Sequence, residues 1–263
     1  MSEELLFEVG DDKVAVITLN RPDKRNAFTQ EMIDAWLDAL EECRTSDAIN
    51  AVIVTGTGSA FCSGGDVRNM GERGEQTPLM EKDRLWQNLH RLPRAFAAID
   101  KPVIAAVNGA ATGAGMDIAL MADIRFAGQS ARFAESYVKV GLVPGEGGAW
   151  YLPRIVGVGR ALEMLWTGDF VSAEEAERIG LVNKVLPDDE LMSHSRIFAA
   201  RLAAGPAVAI RLDKRAVYQG LRMDLESALD MVSSHIAVVR NTEDYKNAIA
   251  AFREKKTPIF EGR

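Results

Sequence analysis

A chain of 263 residues, 47% hydrophobic and 26% charged, is long enough to bury one substantial core with a smaller appendage. Its formal charge of −7 argues against a general nucleic-acid binder, although a local basic patch for an anionic small molecule remains compatible. Two cysteines, Cys43 and Cys62, give neither a disulfide framework nor a zinc spacing. The acidic start Met1-Ser2-Glu3-Glu4 lacks the basic and apolar regions of a signal peptide, and no apolar run approaches bilayer length. The expectation is a cytoplasmic protein with no metal, no nucleic acid and no membrane among its partners.

Val14 to Leu19 reads as a strand closed by the turn Asn20-Arg21-Pro22-Asp23. Phe28, Met32, Ile33, Trp36, Leu37 and Leu40 then recur at helical spacing behind Thr29 as an N-cap. A second strand is expected over 51–55, followed by the glycine segment Phe61-Cys62-Ser63-Gly64-Gly65-Asp66. Residues 67–78 are polar and broken by Gly71, Gly74 and Pro78, the pattern of a mobile loop. A helix is expected from Leu79 to Ile99, kinked at Pro93, then a strand over 103–107 and the second glycine segment, Asn108 to Gly115. Met116 to Met121 reads as a short buried helix and Ile124 to Ala127 as a strand. Alternating strands and helices imply parallel pairing. After about Glu190 only helical patterns remain, at 193–204, 206–218, 225–239 and 242–255.

The two glycine segments carry the chemistry. Each follows an apolar strand and leads towards a helix, where glycine permits close backbone approach and the helix start offers unpaired N–H groups. Two such turns brought together can hold a negative charge developing on one oxygen.

The chain resembles the crotonase-fold (enoyl-CoA hydratase/isomerase) family. The residues that carry the likeness are Asn20-Arg21-Pro22 with Asn26-Ala27, the segment 61–66, Lys101 to Gly109 and Ala122-Asp123-Ile124-Arg125. Phe133, Gly141, Pro144-Gly145-Glu146-Gly147-Gly148, Leu152-Pro153-Arg154 and Gly157 extend it, as do Phe252, Lys255-Lys256 and Phe260 to Arg263. The resemblance implies an α/β spiral of ββα units over 1–190 and a helical oligomerisation region over 191–263, assembled as a homotrimer or a dimer of trimers. It implies an acyl-CoA thioester substrate and no cofactor, coenzyme A being part of the substrate. It places the oxyanion-hole amides on Gly65 and Ala114, with chemistry running through a thioester enolate. It assigns substrate and CoA contacts to Ala60, Cys62, Gly64, Asp66 and Tyr137, and phosphate contacts to Arg25, Lys255 and Lys256.

One departure bears on the reaction. The two glutamates with which hydratases of this family hold water fall here on Asp117, one methylene shorter, and on Tyr137, which has no carboxylate. Three acids are candidates for the missing work. Asp117 lies near the start of a helix, where it either acts as an acid/base or merely complements the dipole. Glu135, two residues before Tyr137, shares its face if the stretch is extended, and otherwise belongs to an ion pair. Glu146 sits in the glycine turn 144–148, one residue beyond the position where some relatives carry an aspartate; a helix-start charge is its plainer reading. Trp150 is equally a wall of an acyl pocket or a core side chain, and the three histidines carry no triad or metal spacing.

The reading is an enoyl-CoA hydratase or isomerase. Loss of the glutamate at 137 leans towards proton shuttling, since hydration needs a gripped water and isomerisation needs one acid. A thioester hydrolase or dehalogenase uses the same enolate-stabilising site. A non-catalytic CoA-binding or RNA-binding relative is the remaining alternative, disfavoured for RNA by the net charge.

Overall fold

The computed structural model describes residues 3–66 and 77–262. The loop expected over 67–78 falls largely outside them, and Thr77 re-enters as the N-cap of the next helix.

Strand β1 (Leu5–Val9) runs antiparallel to β2 (Val14–Leu19), and β2 pairs parallel with β3 (Ala51–Gly56). Helix α1 (Gln30–Thr45) joins β2 to β3, its N-cap Thr29 accepting from the Met32 N–H at 3.1 Å as the sequence leads one to expect. Strand β4 (Ala60–Cys62) is followed by α2 (Pro78–Arg84), a wide turn over Leu85–Leu89 and α3 (Arg91–Ala98). Then come β5 (Val103–Val107), β6 (Ala110–Thr112), α4 (Ala114–Met121), β7 (Ile124–Gly128) and β8 (Arg132–Ala134). A short 3-10 turn, Ser136–Val140, leads to α5 (Gly148–Val156), α6 (Val158–Thr167), β9 (Val171–Ser172), α7 (Ala173–Arg178) and β10 (Lys184–Leu186). Helices α8 (Leu191–Ala203), α9 (Ala207–Gly220), α10 (Leu225–Val239) and α11 (Glu243–Glu254) complete the chain.

A larger sheet has the order β1-β2-β3-β5-β7-β10 and a smaller one β4-β6-β8-β9. Three successive strand pairs, β3/β4, β5/β6 and β7/β8, each contribute their first strand to the larger sheet and their second to the smaller. This is the ββα spiral that the resemblance implies. The strands of the larger sheet are apolar on both faces, the pattern of a parallel sheet covered on both sides. Val52 and Val54 join a core that includes Trp36 and Leu40 of α1, whereas Ala51 and Ile53 face Leu191, Ala199 and Ala203 of α8. Helix α8 therefore packs on the back of the sheet. Helices α9 and α10 bury no residue fully; charged contacts tie α9 down, with Arg211 and Arg215 on Asp100 and Lys214 on Asp123 at 2.7 Å.

The expected helix over 79–99 differs in detail. It is two helices around a π-type turn, and the break precedes Pro93 instead of falling on it. Proline near a helix start costs no intrahelical hydrogen bond, so Pro93 is accommodated in the first turn of α3.

Candidate active site

Parallel pairing of β4 with β6 (Ala60 beside Ala110, Cys62 beside Ala111) sets the two glycine segments side by side at the strand ends. Gly64 has φ +89° and Gly113 φ +53°, conformations that glycine adopts without the penalty a Cβ brings. A Cβ at Gly115 would collide with the Cys62 carbonyl oxygen, so glycine is what lets α4 start this close to β4. Among the described residues, neither the Gly65 nor the Ala114 N–H donates a hydrogen bond. Position 64 lies directly beside the Ala114 nitrogen, a Cβ there falling 3.4 Å from it. Two amides that donate to no acceptor among the described residues thus lie at neighbouring turns, one of them that of the first residue of α4.

The third strand of the smaller sheet brings the acids. β8 pairs with β6, Ala134 opposite Thr112, and the Gly113 N–H donates to the Ala134 carbonyl at 2.8 Å. Glu135 and Tyr137 are thereby delivered against Asp117, the fourth residue of α4. The premise that they share a face of an extended stretch does not hold, because Tyr137 already belongs to the 3-10 turn. Both nonetheless reach one cluster with Asp117 and Glu146.

In that cluster the Tyr137 hydroxyl donates to Asp117 Oδ2 at 2.7 Å and also contacts Glu146 Oε2. The Glu146 backbone N–H donates to Asp117 Oδ2 at 3.2 Å. A Cβ at Gly148 would collide with Asp117 Oδ1 and stand 2.6 Å from Glu135 Oε1, so glycine there is what allows the two carboxyls to meet. His90 Nε2 lies 2.8 Å from the Gly145 carbonyl oxygen and braces the turn that carries Glu146.

Burial governs the protonation of this group. Asp117 is 0% exposed, Glu135 1% and Glu146 5%. Desolvation is the largest cause pushing all three carboxyls up, Glu135 to about 10 and Glu146 to about 7. For Glu135 the neighbouring Asp117 charge adds to it; for Glu146 the Tyr137 hydrogen bond works in the opposite direction. Burial likewise pushes the Tyr137 phenol far up, so it stays a proton donor. Asp117 Oδ1 and both Glu135 oxygens meet no N–H or O–H among the described residues. A neutral Glu135 resolves this, because its carboxylic proton then serves Asp117 Oδ1 directly. Tyr137 has one proton for two carboxyls, which couples the titrations of Asp117 and Glu146.

The remaining site residues fall into two groups. Ala60, Cys62, Gly64 and Asp66 surround the first turn. Cys62 is fully buried, donates to the Asn26 carbonyl and has its thiol pushed up to about 12 by desolvation, which makes it a packing residue and a poor nucleophile. Asp66 lies 3.6 Å from Arg21. Asn26 is buried and bonds to the carbonyls of Thr57 at 2.9 Å and Ala60 at 2.8 Å, so the 20–27 motif buttresses that turn. Arg25 sits next to it in a left-handed conformation, exposed, its carbonyl accepting from the Ser63 N–H at 3.0 Å. Lys255 and Lys256 are exposed at the end of α11, Lys256 paired with Glu254 at 2.8 Å. Among the described residues, no hydrogen bond or ion pair joins these lysines to the cluster.

A cavity of about 800 Å³ adjoins the cluster through Glu146. Trp150 lies on its wall, as do Trp86, Arg94, Tyr151 and Arg222, which the sequence gives no reason to group. Asp117 and Glu135 are not on that wall, so of the three candidate acids it is Glu146 that faces the cavity.

The ββα spiral defines a protein of the crotonase-fold class. The chain belongs to the enoyl-CoA hydratase/isomerase family, whose model matches residues 10–263. It is 37% identical to the short-chain-enoyl-CoA hydratase of Clostridium acetobutylicum, over 94% of this chain and 93% of that one. It is 35% identical to the 1,2-epoxyphenylacetyl-CoA isomerase of Escherichia coli over the full length of both. The crystal structure of an enoyl-CoA hydratase from Mycobacterium smegmatis superposes with a TM-score of 0.92 at 32% identity, covering 98% of this chain and 99% of that one. The activity is accordingly of the enoyl-CoA hydratase/isomerase type, on an acyl-CoA thioester. No helix among the described residues is long and apolar enough to cross a membrane.

Proposed function

We propose that this enzyme moves the double bond of an enoyl-CoA by proton transfer through Glu146. The carrying observation is the Tyr137 hydroxyl, within hydrogen-bond reach of both Asp117 and Glu146. In hydratases of this family a second carboxylate stands at the position of Tyr137 and grips the water together with the first; here a phenol stands there and binds Asp117 and Glu146 instead. Glu146, with a pKa of about 7, is near the balance of acid and base forms at which a proton shuttle works best. It removes a proton from one carbon of the enoyl unit, the electron pair spreads into a dienolate on the thioester oxygen, and the carboxyl, exchanging its proton with solvent, returns one to the carbon two positions away. The Gly65 and Ala114 amides receive the oxygen's developing charge, each such donor worth about 10²–10³ in rate. Atoms balance within the substrate, so the step calls for no cofactor.

Arg25 and the Lys255–Lys256 pair suit the phosphates of coenzyme A, the lysines by reaching a neighbouring subunit's ligand. A homotrimer or dimer of trimers fits the exposed apolar side chains of the helical region: Leu221, Leu225, Leu229 and Phe252 are 57–82% exposed.

Hydration is the second reading, favoured by the hydratase names of relatives such as that of Clostridium acetobutylicum. The test is supply of a 3-enoyl-CoA in the absence of other enzymes, followed by proton NMR. Proton transfer predicts conversion to the 2-enoyl isomer with solvent deuterium entering in D2O. Accumulation of a 3-hydroxyacyl-CoA as the sole product sinks it.

A further inference from the structure

The cavity beside Glu146 has a charge pattern that the proton-transfer chemistry leaves unused. Its volume of about 800 Å³ is in the range that encloses a whole drug-sized ligand, so a four-carbon acyl chain would leave it mostly empty. Its middle is aromatic. Trp86 is 58% exposed although it stands on this wall, and Trp150 and Tyr151 face it from α5.

Four cations line the cavity, and two of them are spent. Lys214 is held by Asp123 at 2.7 Å and Arg215 by Asp100. The other two are Arg94 and Arg222. Arg94 donates to the His90 carbonyl at 2.8 Å and to the Trp86 carbonyl, and its guanidinium lies 4.8 Å from the Trp86 ring centre. Arg222 stands 5.5 Å from the Trp150 ring centre. Among the described residues, neither has a carboxylate partner. Of the three acids on the wall, Asp100 and Asp123 are neutralised by Arg215 and Lys214, which leaves Glu146 as the acid without a cation partner on this wall and two arginines beside tryptophan rings without a carboxylate partner. Guanidinium forks match carboxylates, and a planar group held on an aromatic face loses less freedom on binding than a free side chain.

We propose that this cavity is the acyl pocket and that it selects acyl-CoA substrates with chains longer than four carbons whose far end carries a carboxylate, received by Arg222 and Arg94. Polarity fixes the orientation. A distal carboxylate beside Glu146 would be repelled, whereas at the arginines it completes their charge. The inference rests on the acyl-CoA reading of the site but not on which reaction follows.

The test is direct binding to the full-length protein by isothermal titration, with three saturated thioesters: acetyl-CoA, octanoyl-CoA and suberyl-CoA. The last two have equal chain length and differ in the terminal carboxylate. Suberyl-CoA is expected to bind at least ten-fold more tightly than octanoyl-CoA. Arg222→Gln should bring that ratio close to one, and Arg222→Lys should keep part of it. Ala97→Trp, which fills the cavity, should weaken both eight-carbon ligands relative to acetyl-CoA. Octanoyl-CoA binding as tightly as suberyl-CoA overturns the proposal, as does a ratio that Arg222→Gln leaves intact. A suberyl-CoA preference without any double-bond movement in the unsaturated thioesters counts against the proton-transfer reading alone.

Discussion

Replacing Glu135 by glutamine should make the protein more stable at neutral pH. In the unfolded chain this carboxyl titrates near 4.5; in the folded protein it is pushed up to about 10 by burial and by Asp117. The folded state therefore holds a proton that the unfolded state has released, and stability falls with pH across that window. The favourable contribution of the neutral acid is complete below 4.5 and is lost progressively as pH rises towards 10. At one pKa unit to ~1.4 kcal/mol, keeping Glu135 protonated at pH 7 costs about 3 kcal/mol. Glutamine carries no such cost, and its amide N–H replaces the carboxylic proton towards Asp117 Oδ1. A gain of about 3 kcal/mol corresponds to a rise in Tm of roughly 6–12 °C for a chain this long. The assay is thermal denaturation of both proteins from pH 5 to 8.5 at fixed protein concentration. The gap should widen with pH from almost nothing near pH 5. Parallel profiles, or a variant less stable at pH 8, would refute the assignment of a proton to Glu135.

Glu146→Gln should lower kcat by about 10²–10⁴ with little change in acyl-CoA affinity, measured by steady-state kinetics alongside titration with a saturated thioester. In the wild type, kcat/KM should rise through a limb near pH 7 as Glu146 ionises. Tyr137→Phe removes the hydrogen bond that holds the Glu146 pKa down, so that limb should move to higher pH; an unmoved limb would show that the phenol does not govern it. Gly148→Ala places a methyl against Asp117 and Glu135, and overpacking of this kind costs about 1–3 kcal/mol, read from urea midpoints, together with a loss of activity.

The fold was legible because the signals that specify it are local and repeated. Val14–Leu19, Ala51–Gly56 and Val103–Val107 are apolar runs of strand length, and Thr29 is a helix cap where the sequence suggests one. The two glycine turns were legible for the same reason: each announces its own backbone, and only the pairing of β4 with β6 had to be supplied by the fold. The acid cluster was harder to read. Its members come from α4, the end of β8 and the turn before α5, and their relation depends on a 3-10 turn at 136–140 that no periodicity marks. Nothing local reveals that Glu135 and Asp117 lose nearly all contact with water while Glu146 faces a cavity. His90, Trp86, Arg94 and Arg222 were beyond reach for a similar reason, since their meaning lies in packing between α3, α5 and the end of α9.

The central claim is that the Tyr137 hydroxyl, standing between Asp117 and Glu146, leaves proton transfer as the reaction in place of water addition. It is tested most directly by incubating a 2-enoyl-CoA with the wild-type enzyme in oxygen-18 water and analysing the recovered thioesters by mass spectrometry. The account predicts a mixture of 2- and 3-enoyl isomers with no oxygen-18 in the acyl chain. Oxygen-18 appearing at the β-carbon at a rate matching or exceeding isomerisation would contradict it.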